Sequence, residues 1–474
     1  MRFSTIIAAL QLLLLCPVTA ASEETCPNRP RVIVTTDGEA DDRASMVRFL
    51  LSSNEFDVEA IVNSSSQFHW LGGKGWNAFH PVEWVKEYIG YYEKVYPNLL
   101  KHDPGFPSPN HLLSKWRIGN IDAIGEYEKN TDGARFISEI LLDDSDPRPI
   151  WVQAWGGCNT IAAALRIIQE EHPDEMEKVA GRIRLYLIWE QDETYQKYIR
   201  PNWEHFNIPT IISDQFDCMA YIWHKVLPAE IQSYFQKDWF SKNILVGKGP
   251  LCEAYPNNNG AFNGEGDTPA FLHSIDNGLR NMENPGYGGW GGRYVNVRNN
   301  VWMDPVPLDE FEHTTGQWCF KNSWSKQLEN AATPELIAAR TNYFRPLWQW
   351  MPAIQNDFAA RASWCVKDYS SANHHPVVVV NVADDMTVRP GELLDIDATK
   401  SHDPDNDNID IRWWLYPEAG SYKGDISLET NNGILRLTVP TDIKPGETIH
   451  LICEISDDGV PSLTRYKRII LNSD

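Results

Sequence analysis

Short apolar segments alternate with helical patterns over the first half of the chain, and this alternation is the feature that most limits the fold. The segments are rich in Val, Ile and Leu, and each is followed by residues with the apolar period of a helix. Strands that are connected through helices run parallel in one sheet, and helices then cover both faces of that sheet. We therefore predict an α/β domain with a mainly parallel sheet flanked by helices. The predicted strands are 32–34, 58–62, 150–153, 184–188 and 210–212, and the predicted helices are 43–52, 81–96, 134–142 and 160–170.

The second half of the chain has a different texture, which indicates a second domain. Residues 257–312 are rich in Gly and Asn with interspersed aromatic residues, so we expect long, ordered loops there. A helical pattern covers 333–362, and after it the residues alternate at period two with turn residues in between. This alternation predicts an all-β, Ig-like sandwich. We place the α/β domain at residues 27–369 and the sandwich at 375–474.

The chain begins with a pattern typical of a secretory signal peptide. One Arg precedes an apolar run at 6–15, and small residues follow at 18–20. We expect a signal peptide over residues 1–20 and a secreted, extracellular protein. No later run reaches the roughly 20 apolar residues of a membrane span, so we expect no membrane partner. The formal net charge of −23 argues against nucleic acid as a partner, because phosphate contacts need patches of Lys and Arg. The sequence does not indicate an oligomeric state.

Four carboxylates stand close together where the first predicted strand ends. The segment reads VIVTTDGEADDRASM, with Asp37, Glu39, Asp41 and Asp42 within six residues. Crowded carboxylates repel one another and lose hydration on burial, and a helix N-terminus offsets only part of that cost. A hard divalent cation such as Ca²⁺ would offset more, because it prefers several carboxylate and carbonyl oxygens. The alternative is an acidic helix N-terminus whose carboxylates are solvated.

The segment TTDGEADD resembles the N-terminal fingerprint of the nucleoside hydrolases, in which aspartates follow the first strand. Asp37, Asp41 and Asp42 match that fingerprint, whereas Thr35 replaces its leading Asp and Gly38-Glu39 replaces its Pro-Gly. The resemblance implies that Asp37 binds Ca²⁺ and deprotonates the attacking water. It also implies that Asp42 is a further metal ligand and that Asp41 contacts sugar hydroxyls.

Two further segments are similar to the same family. VQAWGGCNTIAAALRII places Asn159 where a residue binds the metal through its backbone carbonyl, and Cys158 at a packed apolar position. GEGDTPAFLH resembles the segment that supplies the last carboxylate ligand, here Asp267. The loop after the second strand binds sugar in that family, which makes Asn63 or a neighbouring Ser a candidate substrate contact. Seven of the eight cysteines remain after signal-peptide removal, so at least one is unpaired, and we expect Cys158 to be a free, buried thiol.

The likeness is closer to one branch, the secreted nucleoside-hydrolase-like proteins described as cellulose-binding. EGDTPAFL, GGWGGRY and the C-terminal sandwich carry it. The Gly-rich loop brings Trp290 and Tyr294, which either stack on a bound sugar or simply anchor the loop. Gly266 stands where nucleoside hydrolases often have the His that assists the leaving base. The candidates for a replacement acid, none of them selected by spacing, are Glu39, His69, Glu190, Glu265 and His273.

The resemblance implies a Ca²⁺-dependent hydrolase that attacks a glycosidic bond with activated water and inverts the anomeric carbon. The substrate would be an N-glycoside or a plant-derived oligosaccharide. The alternative is a non-catalytic, cellulose-binding type of carbohydrate-binding protein on the hydrolase scaffold. In both cases the expected partner is a carbohydrate or glycoside. Retention of Asp37, Asp41, Asp42 and Asp267 favours an active metal site, because a pure binder does not need clustered carboxylates.

Overall fold

The computed structural model describes residues 29–79, 81–309 and 323–474. The predicted signal peptide at 1–20 lies outside the described residues. Among the described helices, none combines the length and the apolar character that crossing a bilayer requires.

The described residues of the first domain form an eight-stranded sheet in the order β3-β2-β1-β4-β5-β6-β8-β7. Its strands pair in parallel, except that β7 pairs antiparallel with β8. The central strands β1 and β4 are buried along their whole length, because helices cover both faces of the sheet. The strands are β1 (Arg31–Thr36), β2 (Asp57–Asn63), β3 (Trp116–Ile118), β4 (Ile150–Ala154), β5 (Ile183–Ile188), β6 (Thr210–Ser213), β7 (Val295–Arg298) and β8 (Val301–Met303).

Helices connect these strands and begin at capping residues that the sequence supplies. The Thr131 and Thr333 side chains accept hydrogen bonds from the first-turn backbone of their helices, which satisfies amides that lack a helical partner. The helices are α1 (Ala40–Leu51), α2 (Trp84–Leu99), α3 (Pro109–Lys115), α4 (Asp132–Leu142), α5 (Asn159–Glu171), α6 (Met176–Arg182), α7 (Arg200–Trp203), α8 (Trp223–Val226), α9 (Ala229–Gln232), α10 (Lys237–Phe240), α11 (Pro250–Glu253), α12 (Thr268–Leu272), α13 (Trp324–Leu328), α14 (Pro334–Trp348) and α15 (Met351–Trp364).

The C-terminal part consists of two small β-sheets that enclose a core of their own. One sheet has the order β10-β13-β12, and the other has the order β11-β14-β15-β9. Their pairs are antiparallel, apart from the parallel pair β15–β9. The predicted domain boundary falls between the end of α15 and the start of β9. The strands are β9 (Asp385–Val388), β10 (Leu393–Asp397), β11 (Ile409–Leu415), β12 (Glu429–Asn431), β13 (Ile434–Thr438), β14 (Thr448–Asp457) and β15 (Thr464–Ser473).

The two parts pack firmly against each other. Tyr416, Ile452 and Tyr466 of the sandwich are buried in the hydrophobic core of the α/β part. The buried Arg468 guanidinium donates hydrogen bonds to the carbonyls of Leu279, Tyr287 and Gly288 in the Gly-rich loop. The junction is therefore a continuous, hydrogen-bonded interface.

Candidate active-site cleft

The candidate site lies at the carboxyl ends of the central parallel strands. Asp37 directly follows β1, Ser64–Ser66 follow β2, and Gly156 and Gly157 lie shortly after β4. Strands β2, β1 and β4 are neighbours in the sheet, so their C-terminal loops meet at one edge. Open parallel sheets bind ligands at this edge.

The turn between β1 and α1 is held by Asp42. One Asp42 oxygen accepts hydrogen bonds from the Thr36 hydroxyl and from the Asp37 backbone amide (3.2 Å), and the other accepts from the Glu39 backbone amide (3.1 Å). The Glu39 side chain in turn accepts from the Asp42 backbone, which completes a capping box at the start of α1. The predicted metal ligand Asp42 thus also fixes the position of Asp37.

Asp37 is a fully buried carboxylate, and neither oxygen has a hydrogen-bond partner among the described residues. Burial, followed by the charge of Glu39, raises the pKa of Asp37 from 3.8 to about 8. Gly156 makes room for this group, because a Cβ at Gly156 would lie 2.8 Å from the Asp37 Cγ. A buried carboxylate with two unsatisfied oxygens indicates a missing positively charged or hydrogen-bonding partner.

Asp41 and Asp267 belong to the same cluster. The Asp41 Oδ1 accepts a hydrogen bond from the Tyr221 hydroxyl (3.0 Å), and burial and the neighbouring Asp42 raise the pKa of Asp41 to about 6. Asp267 is buried and its Oδ2 has no partner in the described part of the chain. Burial, and then the charges of Asp42, Asp41 and Asp37, raise the pKa of Asp267 well above its usual value. The structure therefore brings the first fingerprint and the distant Asp267 into one electrostatic unit.

Glu39 is the residue that links two possible metal-binding groups. Ligand atoms of Asp37, Glu39 and His69 lie within 4.8 Å of one another, and so do those of Glu39, Asp41 and Asp42. The Glu39 Oε1 is 3.2 Å from the His69 Nδ1. Within the described ranges, no Lys or Arg forms an ion pair with any of the four clustered aspartates. Orphaned buried oxygens together with this donor set fit a divalent cation.

Asn159 and Asn63 are both buried near this edge of the sheet, and each is held by its own hydrogen bonds. The Asn159 amide nitrogen donates to the Ser65 Oγ (2.8 Å) and to the Asn120 carbonyl (2.7 Å), while its backbone N–H donates to Asp192 (3.1 Å). The Asn63 Oδ1 accepts from the Trp116 Nε1 (2.7 Å) of the neighbouring strand β3. The proposed metal contact of the Asn159 carbonyl and the proposed sugar contact of Asn63 stay predictions.

Trp290 and Tyr294 are not brought to the cleft. Both are buried, and neither lines the pocket beside the carboxylates. The Trp290 ring packs on Tyr466 of the sandwich, and the Tyr294 hydroxyl is 2.5 Å from the Tyr186 hydroxyl and 3.2 Å from the Ser213 Oγ. Their ring faces are thus unavailable to a ligand, and the alternative, that they anchor the Gly-rich loop, describes them.

A pocket of about 240 Å³ opens directly beside the carboxylates. Glu39 and Asp41 form its acidic side, and Lys326 stands 3.1 Å from Asp217 on another side. Its remaining wall is largely aromatic, a feature that the sequence analysis missed because the rings come from separate segments. These rings are Phe68, Trp76, Trp189, Phe216 and Tyr221.

Trp189 is the most strongly positioned of these rings. Its backbone has φ 57°, a conformation that costs energy for a bulky residue and is concentrated at functional sites. The indole Nε1 donates to the Asp214 Oδ1 (2.5 Å), and the ring packs edge-on against Phe216 at 4.7 Å. The structure therefore holds this wall of the pocket in one orientation.

Three of the candidate acids are held by the surrounding protein. Glu265 is buried and accepts from the Arg48 guanidinium at 2.6 and 3.0 Å, as well as from Tyr255 and Thr268. Burial lowers the pKa of His273 to about 3, and raises that of Glu190, which accepts from Gln196, to about 7. None of the three lines the pocket, whereas Glu39 does and His69 contacts Glu39.

The fold and the carboxylate cluster together define a nucleoside-hydrolase-like protein. The model of the nucleoside-hydrolase-like domain of the cellulose-binding Sde182 proteins matches residues 31–294, which is more than half of the chain. The chain belongs to this family, and the model of the Sde0182 C-terminal domain also matches residues 393–473.

Solved structures give the same assignment of the fold. A nucleoside hydrolase-related hypothetical protein from Saccharophagus degradans, described as associated with carbohydrate metabolism, is 29% identical. The alignment covers 94% of this chain and 100% of that one, with a TM-score of 0.74. An inosine-guanosine nucleoside hydrolase is 14% identical over 52% of this chain and 79% of its own, with a TM-score of 0.30. No curated protein matches the chain significantly.

The comparisons confirm the predicted family and fold class, namely a mainly parallel sheet with flanking helices followed by an all-β sandwich. They also bear out a carbohydrate as the class of ligand for the family. Cys158 is buried and forms no disulfide, as do four other cysteines of the described chain.

Proposed function

We propose that the chain is a secreted, Ca²⁺-dependent hydrolase that cleaves a glycosidic bond of a carbohydrate in the cleft beside Asp37. The observation that carries this proposal is the state of Asp37. Its carboxylate is buried, both oxygens lack a partner among the described residues, and it lies beside a pocket that is open to a ligand. A group with these properties suits a general base that awaits a cation and a water molecule.

Asp37 accepts the proton of the attacking water in this scheme. It can do so only as a carboxylate, so its raised pKa must fall when the site is loaded. A Ca²⁺ ion held by Asp37, Asp42, Asp267 and the Asn159 carbonyl would supply the positive charge that lowers this pKa and the pKa of a bound water. Asp42 keeps the base in place through its bond to the Asp37 backbone amide.

Asp41 and the aromatic wall position the substrate. Asp41 accepts a hydrogen bond from a sugar hydroxyl, and the Tyr221 hydroxyl orients its carboxylate. Water attacks the anomeric carbon while the bond to the leaving group breaks on the opposite face, which inverts that carbon. The leaving portion then lies in the aromatic pocket, where rings such as Trp76 and Trp189 stack on it.

A non-catalytic carbohydrate-binding protein is the second candidate. The description of the family as cellulose-binding favours it, because binding alone needs no base. Nucleosides are disfavoured as substrates, because Gly266 replaces the residue that assists the leaving base in nucleoside hydrolases. A His could not be added there, since a Cβ at Gly266 would lie 2.5 Å from the Asp41 Oδ2.

Release of product by matched proteins separates these candidates. Wild type and Asp37→Asn are incubated with cello-oligosaccharides, other plant oligosaccharides and nucleosides, with Ca²⁺ or with chelator, and reducing sugar is measured. We expect release by wild type with Ca²⁺, and a loss of about 10²-fold or more in Asp37→Asn, which is the usual contribution of a general base. The surface variant Asp395→Asn serves as the control and should match wild type. If wild type binds these glycans as tightly as Asp37→Asn does and releases nothing, the binding function replaces the hydrolase.

A further inference from the structure

We infer that the chain has a second carbohydrate-binding site, a groove between the α/β part and the sandwich that takes a segment of a neutral glucan chain. The groove has a volume of about 450 Å³, within the range of roughly 300–1,000 Å³ that is typical of ligand sites. It lies between the corner that joins α14 to α15 and one face of the sheet that contains β11, β14 and β15. We call it the junction groove, and its principal lining residues are Gln349, Asn356, Arg412, Trp414, Glu454 and Tyr466.

The sheet face that lines the junction groove is polar where domain packing alone would favour apolar residues. Arg412 of β11 pairs in register with Glu454 of β14, and Glu454 pairs with Tyr466 of β15, so these side chains share one face. The other face carries Trp413 and Cys453 into the core of the sandwich. Large polar side chains at a domain junction leave an open groove where aliphatic side chains would close it.

The aromatic residues of the junction groove form a braced platform. The Trp350 and Tyr466 rings are buried and lie 5.4 Å apart at the base, and the Trp414 ring packs 5.8 Å from Trp350. Trp414 is only partly buried, so part of its surface faces the groove. Its Nε1 donates to the Glu454 Oε2 (3.0 Å), which fixes the orientation of the indole. A fixed indole with an accessible surface is suited to stacking on the apolar face of a sugar ring.

The charges of the junction groove select a neutral ligand. Arg412 is 65% exposed and lies 3.4 Å from Glu454, so the cation and the anion of the groove compensate each other. The guanidinium retains donors that can reach hydroxyl groups, and Gln349 and Asn356 add amide groups across the groove. Neutral rings that present one apolar face and a rim of hydroxyls match this surface. A glucan chain is such a ligand, and the cellulose-binding description of the family agrees with it.

The inference does not depend on hydrolysis in the cleft, and binding alone tests it. Calorimetry measures the affinity of the full chain for cellohexaose in the Asp37→Asn background, which removes turnover. We expect Trp414→Ala to weaken this binding about tenfold, as loss of a stacked ring does, and Arg412→Ala to weaken it severalfold. Trp414→Phe keeps a ring and should retain part of the affinity.

The matched control is Trp239→Ala. This residue is also a partly buried Trp and packs on Tyr234, but it lines neither the cleft nor the junction groove. It should bind cellohexaose like the parent protein. The exposed Arg412 can be replaced without disturbing the core, so its variant tests the groove even if Trp414→Ala does not fold. The inference is overturned if the parent protein does not bind cellohexaose, or if both Trp414→Phe and Arg412→Ala bind it as the parent does.

Discussion

Replacing Asp37 by Asn should change how the stability of the metal-free protein depends on pH. In the folded protein without a cation, burial and Glu39 raise the pKa of Asp37 from 3.8 to about 8. The stabilising contribution of a group with a raised pKa is fully present below the unfolded value of 3.8 and is lost as the pH rises through about 8. The metal-free wild type should therefore lose stability from acid towards neutral pH, the reverse of ordinary acid denaturation.

The size of this loss follows from the shift. Each pH unit between the unfolded and the folded pKa costs about 1.4 kcal/mol of unfolding free energy. From about pH 5 to about pH 8, Asp37 alone should lower that free energy by about 4 kcal/mol. Asn has nearly the same shape and no charge, so Asp37→Asn should remove this part of the slope. At the alkaline end the variant should be the more stable protein in chelator.

Urea unfolding in chelator at these two pH values, and again with Ca²⁺, measures both effects. Added Ca²⁺ should restore wild type at about pH 8 and should stabilise Asp37→Asn much less, because the variant lacks one ligand. Asp395→Asn, on the surface of the sandwich, should follow wild type throughout. Equal slopes for wild type and Asp37→Asn would show that Asp37 is not a buried, unneutralised carboxylate. Equal stabilisation of both by Ca²⁺ would remove Asp37 from the metal site.

Three further substitutions probe the same region. Gly266→Ala should weaken Ca²⁺ binding at least severalfold in calorimetry, because the new Cβ would lie 2.5 Å from the Asp41 Oδ2 and displace that carboxylate; unchanged binding would contradict this crowding. Glu265→Gln should lower the unfolding free energy in urea by about 3–5 kcal/mol, because it leaves the buried Arg48 without its counter-charge, and a loss below about 1 kcal/mol would argue against a buried pair. Trp76→Ala should weaken glycan binding in the cleft severalfold without changing the melting temperature, because its ring lines the pocket yet is 67% exposed, so unchanged affinity would exclude the ring from the ligand site.

Much of the fold could be predicted because the main strands are continuous apolar runs that are buried on both faces. The predicted strand 58–62 lies within β2, and the predicted helix 160–170 lies within α5. The edge strands were missed for a physical reason. β3 and β8 have three residues each, too few to show any period, and they become strands only by pairing with β2 and with β6 and β7.

The candidate site divides in the same way between local and distant features. The aspartates of the fingerprint follow one strand, so their proximity could be predicted from the sequence. The contact between Glu39 and His69 joins two loops about thirty residues apart, and the aromatic wall collects rings from several segments. Trp290 illustrates the opposite failure, since a Gly-rich loop with aromatic residues is compatible with either a ligand platform or a core anchor, and packing alone decides between them.

The departure at Gly266 gains its meaning from the structure. As a sequence difference it is the loss of one His, which a single substitution could restore. In the folded protein the Asp41 Oδ2 occupies the space that any side chain at 266 would need, so the Gly and the position of Asp41 require each other. Asp41 in turn accepts from Tyr221, which belongs to the aromatic wall of the pocket. The change at 266 is thus coupled to the shape of the region that receives the leaving portion of a substrate, which is where a protein that acts on carbohydrates must differ from one that acts on nucleosides.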